Sequence, residues 1–475
     1  MSIQTSQIPF KTHVNEELHD QIMRKAVAMA QERIGGNRQR MVDELGHWEN
    51  WRDQAKAIRN HVLENLDAYL YQLSEKVTQN GGHVYFAETD EDARRYIKDL
   101  AVKKGVKKVV KSKSMVTEEI GMNHALEAEN IKVVETDLGE YILQIADDKP
   151  SHIVVPAIHR DRHQIRKVLH EKLGYQGAET PEDMTLFIRN KIREEFLTAD
   201  MGVSGCNFAV PQTGSICLVT NEGNLRMATT LPKIHVAVMG MERLAPSFEA
   251  VDVLITLLAR SAVGAKLTGY NTWLTGPRLT GETDGPEEFH LVIVDNGRSK
   301  ALGSEFNDVL RCIRCGACLN TCPVYRQIGG HSYGSIYPGP IGSVISPLIG
   351  GYEKFKELPY ACSLCTACNQ VCPVKIPLSN LLLEHRRKIV SLGKTDNIEK
   401  LSVKAFAFAN SHPSFWKVGM NVGAKVMGQF IKNGKAPINV GAISEWTKAR
   451  DLPKPDGESF RSWFKQRSNK TNGSK

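Results

Sequence analysis

Eight of the ten cysteines fall into two copies of one spacing. The first copy is Cys312, Cys315, Cys318 and Cys322, followed by Pro323; the second is Cys362, Cys365, Cys368 and Cys372, followed by Pro373. Both read C-x2-C-x2-C-x3-C-P. Three thiols on one tight loop reach three corners of a cube only if the backbone wraps closely around it, and two intervening residues allow that wrap. Gly316 and Ala317 in the first copy, and Thr366 and Ala367 in the second, are small enough for close approach. The proline turns the chain away after the fourth cysteine.

This spacing is that of cubane iron–sulfur ligation, in which the fourth cysteine serves the other cluster. It predicts two [4Fe-4S] clusters. One takes Cys312, Cys315, Cys318 and Cys372; the other takes Cys362, Cys365, Cys368 and Cys322. A structural zinc site pairs its ligands as C-x2-C twice and has no use for the third and fourth cysteines. A disulfide framework suits small secreted chains, and this one has 475 residues. Arg311 and Arg314 flank the first run and are expected to raise its potential relative to the second.

That length accommodates two or three domains. Residues 1–15 lack the apolar core of a secretory signal, and no apolar stretch approaches the ~18 residues of a membrane span. Cluster cysteines predict a reducing, cytoplasmic setting. The net charge of +8 serves solubility, or draws the chain to an acidic partner or an anionic membrane face. No nucleic-acid module is recognisable, and no such partner is expected.

Four regions follow in order. Residues 1–80 carry apolar residues at helical spacing, read as two or three helices broken at Gly35-Gly36. Residues 81–297 alternate β-branched runs with helical stretches, which predicts an α/β domain around a largely parallel sheet. Expected strands include 83–87, 108–110, 132–134, 152–156, 215–220, 234–239, 251–256 and 289–295. Residues 298–395 hold the cysteine runs, separated by a Gly- and Pro-rich segment longer than a compact ferredoxin needs, so an α-helical ferredoxin domain is expected. Residues 396–475 form a basic C-terminal region and tail. Within it, Phe415, Val418, Val422 and Val426, with Lys417 and Lys425, predict an amphipathic helix for docking on a membrane, a partner or the protein itself. The tail after Gly434 has a composition that favours disorder.

The order of these parts resembles one family. Thr213-Gly-Ser-Ile-Cys-Leu-Val-Thr-Asn-Glu-Gly-Asn224 lies in the α/β region, and Asp308-Val-Leu-Arg-Cys-Ile-Arg-Cys-Gly-Ala-Cys318 opens the paired runs. Trp446 and Pro453-Lys-Pro455 lie in the tail. Together they resemble lactate utilisation protein B, the LutB/YkgF family, over about residues 15–465. The resemblance implies an iron–sulfur electron carrier for growth on L-lactate. It would act beside companion lactate-utilisation proteins that oxidise lactate to pyruvate, and pass electrons to an unidentified acceptor. It also implies a sugar-isomerase or CoA-transferase type of fold for residues 81–297.

The α/β region shows no G-x-G-x-x-G after a strand and no Walker A sequence. Lys111, Ser112 and Lys113 follow one expected strand, and Glu222 and Asn224 follow another. These positions form a candidate ligand pocket, since α/β folds place ligands beyond strand ends; a turn and a solvated charge run is the plainer alternative. A self-contained lactate oxidoreductase with its substrate in this pocket is the competing function, although a four-cysteine cubane accepts no hydride and would need an organic cofactor. A scaffold with structural clusters is a third. His159 and His163, four apart, offer two metal ligands if they share a helix face, and solvent-facing histidines otherwise. Asp137, Gly139 and Glu140 read as an acidic turn or a helix start. Cys206 and Cys217, outside either run, read as buried small apolar residues.

Overall fold

The computed structural model describes residues 3–395, 397–430, 435–436, 452–453 and 460–472. They divide into two compact units, Met1–Leu392 and Gly393–Lys475.

Among its described residues the first unit holds nine strands: β1 (His83–Ala87), β2 (Lys108–Lys111), β3 (Lys132–Glu135), β4 (Met201–Ser204), β5 (Phe208–Val210), β6 (Ser215–Thr220), β7 (Ile234–Gly240), β8 (Tyr270–Leu274) and β9 (Glu288–Val294). Six of them form one sheet in the order β1-β9-β7-β4-β2-β3, every neighbouring pair parallel. Strands β5, β6 and β8 make a separate antiparallel sheet. Side chains along the large sheet alternate between two cores. Val236, Val238, Val292 and Val294 pack with Ile97 and Leu126 on one face, while Ala237, Met239, Leu291 and Ile293 pack with Leu73 and Val77 on the other. Burial on both faces explains the continuous apolar runs of β7 and β9. After β3 the chain returns to place β4 on the far side of β2, so strand order reverses between β2 and β4.

Several expected elements differ. Residues 251–256 lie inside a helix, Phe248–Ala262, capped by Ser247, not in a strand. That helix is buried on nearly every side, which erases the periodicity that would mark it. Residues 152–155 form bends and 156 begins a turn, because the amides of Val154 and Val155 donate to the ring of His152 at 3.1 and 3.0 Å, not to a neighbouring strand. The described residues of the N-terminal region form four helices: Phe10–His19, Gln21–Leu45, Trp48–Glu64 and Leu66–Gln79. Gly35-Gly36 lies within the second of these, and the break comes at Gly46, whose φ is +67°.

Residues 298–395 contain helices and no strand among the described residues. The Gly- and Pro-rich segment supplies the helix Gly339–Gly350, with Pro347 inside it, and most of that helix is buried. One core joins this region to the N-terminal helices and to Phe248–Ala262, bringing Met23, Val27, Ala55 and Leu254 together with Leu319, Val344 and Leu382.

The second unit includes the helices Asn397–Ser411, Pro413–Phe430 and Phe460–Asn472. Phe406 meets Trp416 edge-on at 6.1 Å, and Phe408 meets Phe415 at 5.6 Å. Phe415, Val418 and Val422 are exposed. Trp446 and most of the tail after Gly434 lie outside the described residues, as do the side chains of Lys425 and Val426. No helix among the described residues is long and apolar enough to cross a membrane.

Candidate functional site

The two cysteine runs adopt the same backbone twice. Arg314 and Gly316 in the first, and Leu364 and Thr366 in the second, take the left-handed conformation, with φ of 60°, 75°, 57° and 62°. A short helix follows each loop, Ala317–Asn320 and Ala367–Val371. The amide of Arg314 points at Cys312 Sγ (3.4 Å), and that of Leu364 points at Cys362 Sγ (3.3 Å). After the fourth cysteine of each run, Tyr325 N lies 3.5 Å from Cys322 Sγ and Ile376 N lies 3.4 Å from Cys372 Sγ. Backbone dipoles aimed at sulfur stabilise its anionic form.

The fourth cysteine of the second run lies with the first three of the first. Cys312, Cys315, Cys318 and Cys372 line one small cavity, closed by Ile153, Ile341 and Ile376. Burial pushes the Cys322 thiol up to about 11 against the backbone amides of Tyr325 and Val324, with the charges of Cys362 and Cys365 adding to the rise, and burial with the charges of Cys362, Cys322 and Cys365 pushes Cys368 up to about 12. Burial also pushes the Cys372 thiol up to about 11. Cys365 is exposed, whereas Cys315, Cys318 and Cys372 are buried. With Cys312 and Cys362 half-buried and Cys322 and Cys368 buried, the first quartet is the more enclosed and the second reaches the surface at Cys365.

The N-terminal helices clamp the backbone around these thiols. Gln31 Nε2 donates to Leu319 O (2.8 Å), Arg52 Nε to Cys372 O (2.9 Å) and Arg38 Nη2 to Val371 O (3.3 Å). Arg59 is fully buried and donates to the carbonyls of Glu242, Leu244, Leu310 and Arg311. Arg311 pairs with Asp308 at 2.9 Å. Arg314 lies over the Tyr337 ring at 4.7 Å, and its Nη2 is 3.7 Å from Glu242. Burial opposes ionisation of Glu242, but Arg298, Arg314 and Arg243 hold its pKa at about 2.

On the α/β side, a cavity of about 370 Å³ opens beyond the carboxyl ends of β2, β3, β4 and β7. Ser112, Lys113, Glu222 and Asn224 all line it, so four of the five residues singled out from sequence converge. Lys111 does not line it. It ends β2 facing the other way, fully buried against Glu118, Glu135 and Glu140, as strand alternation requires. Those carboxylates outweigh burial and hold its pKa up. Burial, then the Asp137 carboxylate, push Glu222 to about 7. Sequence reasoning missed Arg243, Arg314 and Ile153 at this cavity, since only the tertiary fold brings them to the strand ends.

Asp137 starts a helix, accepting from Glu140 N at 3.2 Å. His159 and His163 do not share a helix face: His159 precedes the helix Arg162–Leu173 and bonds Asp148 at 2.9 Å, while His163 is exposed and reaches Glu179. The ligand atoms of Asp148, His159 and His331 lie within 4.8 Å of one another, but Arg160 already occupies the Asp148 carboxylate. Cys217 is buried, with its thiol pushed up to about 12, and Cys206 lines the cavity.

Three family models match in chain order: a LUD domain over residues 70–294, a 4Fe-4S dicluster domain over 308–376, and the lactate utilisation protein B C-terminal region over 384–469. An Escherichia coli (strain K12) protein described as "Uncharacterized electron transport protein YkgF" is 71% identical over 475 residues, covering 100% of both chains. "Lactate utilization protein B" of Bacillus licheniformis is 57% identical over 460 residues, 96% of each chain. The chain belongs to the lactate utilization protein B family. The protein of the same name from Shouchella clausii is 56% identical over 468 residues, 98% of each chain. All eight run cysteines of this family member fall within the dicluster match, and the 370 Å³ cavity is built largely from the LUD match, with Arg314 reaching in from the dicluster match.

Proposed function

We propose that this chain is an iron–sulfur electron carrier in lactate utilisation, acting while L-lactate is oxidised to pyruvate. The observation that supports this reading is the small cavity that Cys372 of the second run lines together with Cys312, Cys315 and Cys318 of the first. Cys312, Cys315, Cys318 and Cys372 would hold one [4Fe-4S] cluster, and Cys362, Cys365, Cys368 and Cys322 the other. The donor set suits them. The buried thiols of Cys315, Cys318, Cys322, Cys368 and Cys372 ionise only against a strong local cation, and backbone amides stand beside the sulfurs of Cys312, Cys322, Cys362 and Cys372. Each cluster, when bound, takes up and releases a single electron.

The chain's own residues supply direction. Arg38, Arg52, Arg59 and Arg311 fix the carbonyls around the runs and surround them with positive charge. The first quartet lines its own small cavity, and the exposed Cys365 offers the second quartet to a partner. Lactate oxidation releases two electrons and two protons, so companion proteins perform the chemistry and this cytoplasmic carrier passes the electrons to an acceptor. The basic helices of the second unit are the candidate contact for a partner or a membrane face. The competing reading, a lactate oxidoreductase complete in itself, draws support from the cavity at the carboxyl ends of the strands.

The test is EPR of the anaerobic protein before and after L-lactate, with and without the companion proteins. Reduction only with the companions is expected. Reduction by lactate with this chain alone would establish the competing reading instead.

A further inference from the structure

We propose that the 370 Å³ cavity of the α/β region binds a small 2-hydroxy or 2-oxo carboxylate, and that the first cysteine quartet senses its occupancy. The substrate class rests on the lactate-utilisation reading above; the existence of an anion site rests on geometry alone.

The cavity sits where strand order reverses, between residues following β2 (Ser112–Ser114) and β4 (Gly205–Asn207). Open α/β sheets place ligands at that switch point, and the volume lies in the range of small-molecule sites. Its polar complement is unfilled. Among the described residues, Lys113 Nζ has only the Val154 carbonyl, at 2.5 Å, and no carboxylate within ion-pair distance. Arg314 Nη1 and Asn224 Oδ1 are buried with no hydrogen-bond partner, and both residues line the cavity. Buried polar atoms in native proteins are nearly always matched. Lys113, Arg243 and Arg314 offer a carboxylate cationic donors against the Asp137, Glu222 and Glu242 carboxylates that share the lining, and Asn224 offers an acceptor for a neighbouring hydroxyl. Leu218, Leu225 and Leu258 offer the apolar wall a short alkyl group needs.

Coupling to the cysteines follows from shared parts. Ile153 lines both this cavity and the one closed by Cys312, Cys315, Cys318 and Cys372, so one side chain forms part of the partition. Lys113 holds the carbonyl of the next residue, Val154. Arg314 reaches into the cavity while its own amide points at Cys312 Sγ. An anion drawing on Lys113 and Arg314 therefore pulls on the wall and the loop of the first quartet, and not on those of the second.

The experiment uses the full chain, reconstituted anaerobically, with L-lactate, pyruvate and acetate as probes. Calorimetry should show lactate or pyruvate binding at about millimolar concentration or tighter, with acetate weaker. Lys113→Gln and Asn224→Ala, each retaining wild-type iron content, should each weaken binding by about tenfold. In the reduced protein one of the two EPR signals should change on binding and the other should not. No binding by the iron-loaded wild type, wild-type affinity in both variants, or an unmoved spectrum would overturn the proposal while leaving the cluster reading intact. Lactate binding by a chain that takes up no iron would overturn the cluster reading and not the anion site.

Discussion

Arg59 Nη2 donates to Leu310 O at 2.9 Å, from an N-terminal helix to the turn that leads into the first cysteine run. The same guanidinium reaches the carbonyls of Glu242 and Leu244, just after β7. One side chain thus ties three parts of the chain through backbone atoms. It remains a cation although burial, the largest influence, lowers its pKa to about 10.

Arg59→Met should therefore destabilise the protein by about 3–5 kcal/mol, because several buried carbonyls lose their donor at once. Thermal unfolding followed by circular dichroism checks this. The variant should also lose iron faster to a chelator, since Leu310 and Arg311 precede Cys312 directly.

None of this was legible in the sequence. Arg59 sits in a polar helical stretch and reads as a solvated charge until residues far along the chain close over it. The cysteine runs were legible because their chemistry is local: spacing alone dictates a wrapped loop. The parallel strands announced themselves through β-branched runs, but Met201–Ser204 has a single β-branched residue and does not stand out, and residues 251–256 are mostly apolar because their helix is largely buried. At the cavity, strand-end logic placed Ser112, Lys113, Glu222 and Asn224 together, and alternation carried Lys111 to the opposite side.

The crossing of the runs predicts which cysteines act together. Cys372→Ser should perturb the same EPR signal as Cys312→Ser, and Cys322→Ser the same signal as Cys362→Ser. Spectra of the four reduced variants decide it. Pairing Cys372 with Cys362 instead would contradict the grouping.

The equivalent loop positions Gly316 and Thr366 should respond in opposite ways. A Cβ at Gly316 would lie 3.1 Å from Val154 Cγ2 and 3.2 Å from His152 Cε1, at a φ of +75°. Gly316→Ala should cost about 1–3 kcal/mol. Thr366 already bears a side chain at a φ of 62°, so Thr366→Gly should be neutral or stabilising by up to about 1 kcal/mol. Chemical denaturation under anaerobic conditions measures both.

Acid should destabilise the fold before its carboxylates titrate. Burial lowers the pKa of His235 to about 3 and of His385 to about 4. Below the unfolded value near ~6.5 the unfolded chain takes up protons that these folded rings refuse, so stability falls as pH drops, by about 1.4 kcal/mol per pH unit for each ring. Glu222 works in the opposite sense: with a folded pKa of about 7, it favours the folded state at low pH and loses that contribution as pH rises through that value. The histidines outnumber it, so melting temperature should decline from pH 6.5 to 5, and His235→Gln should flatten the decline. A pH-independent melting temperature in the wild type over that interval would contradict the assignment.

Iron and acid-labile sulfide analysis of the anaerobically purified chain, with EPR after dithionite, tests the central claim most directly. Two crossed quartets predict about eight irons, about eight sulfides and a reducible cluster signal. Fewer than about four irons, with zinc in their place, would contradict it.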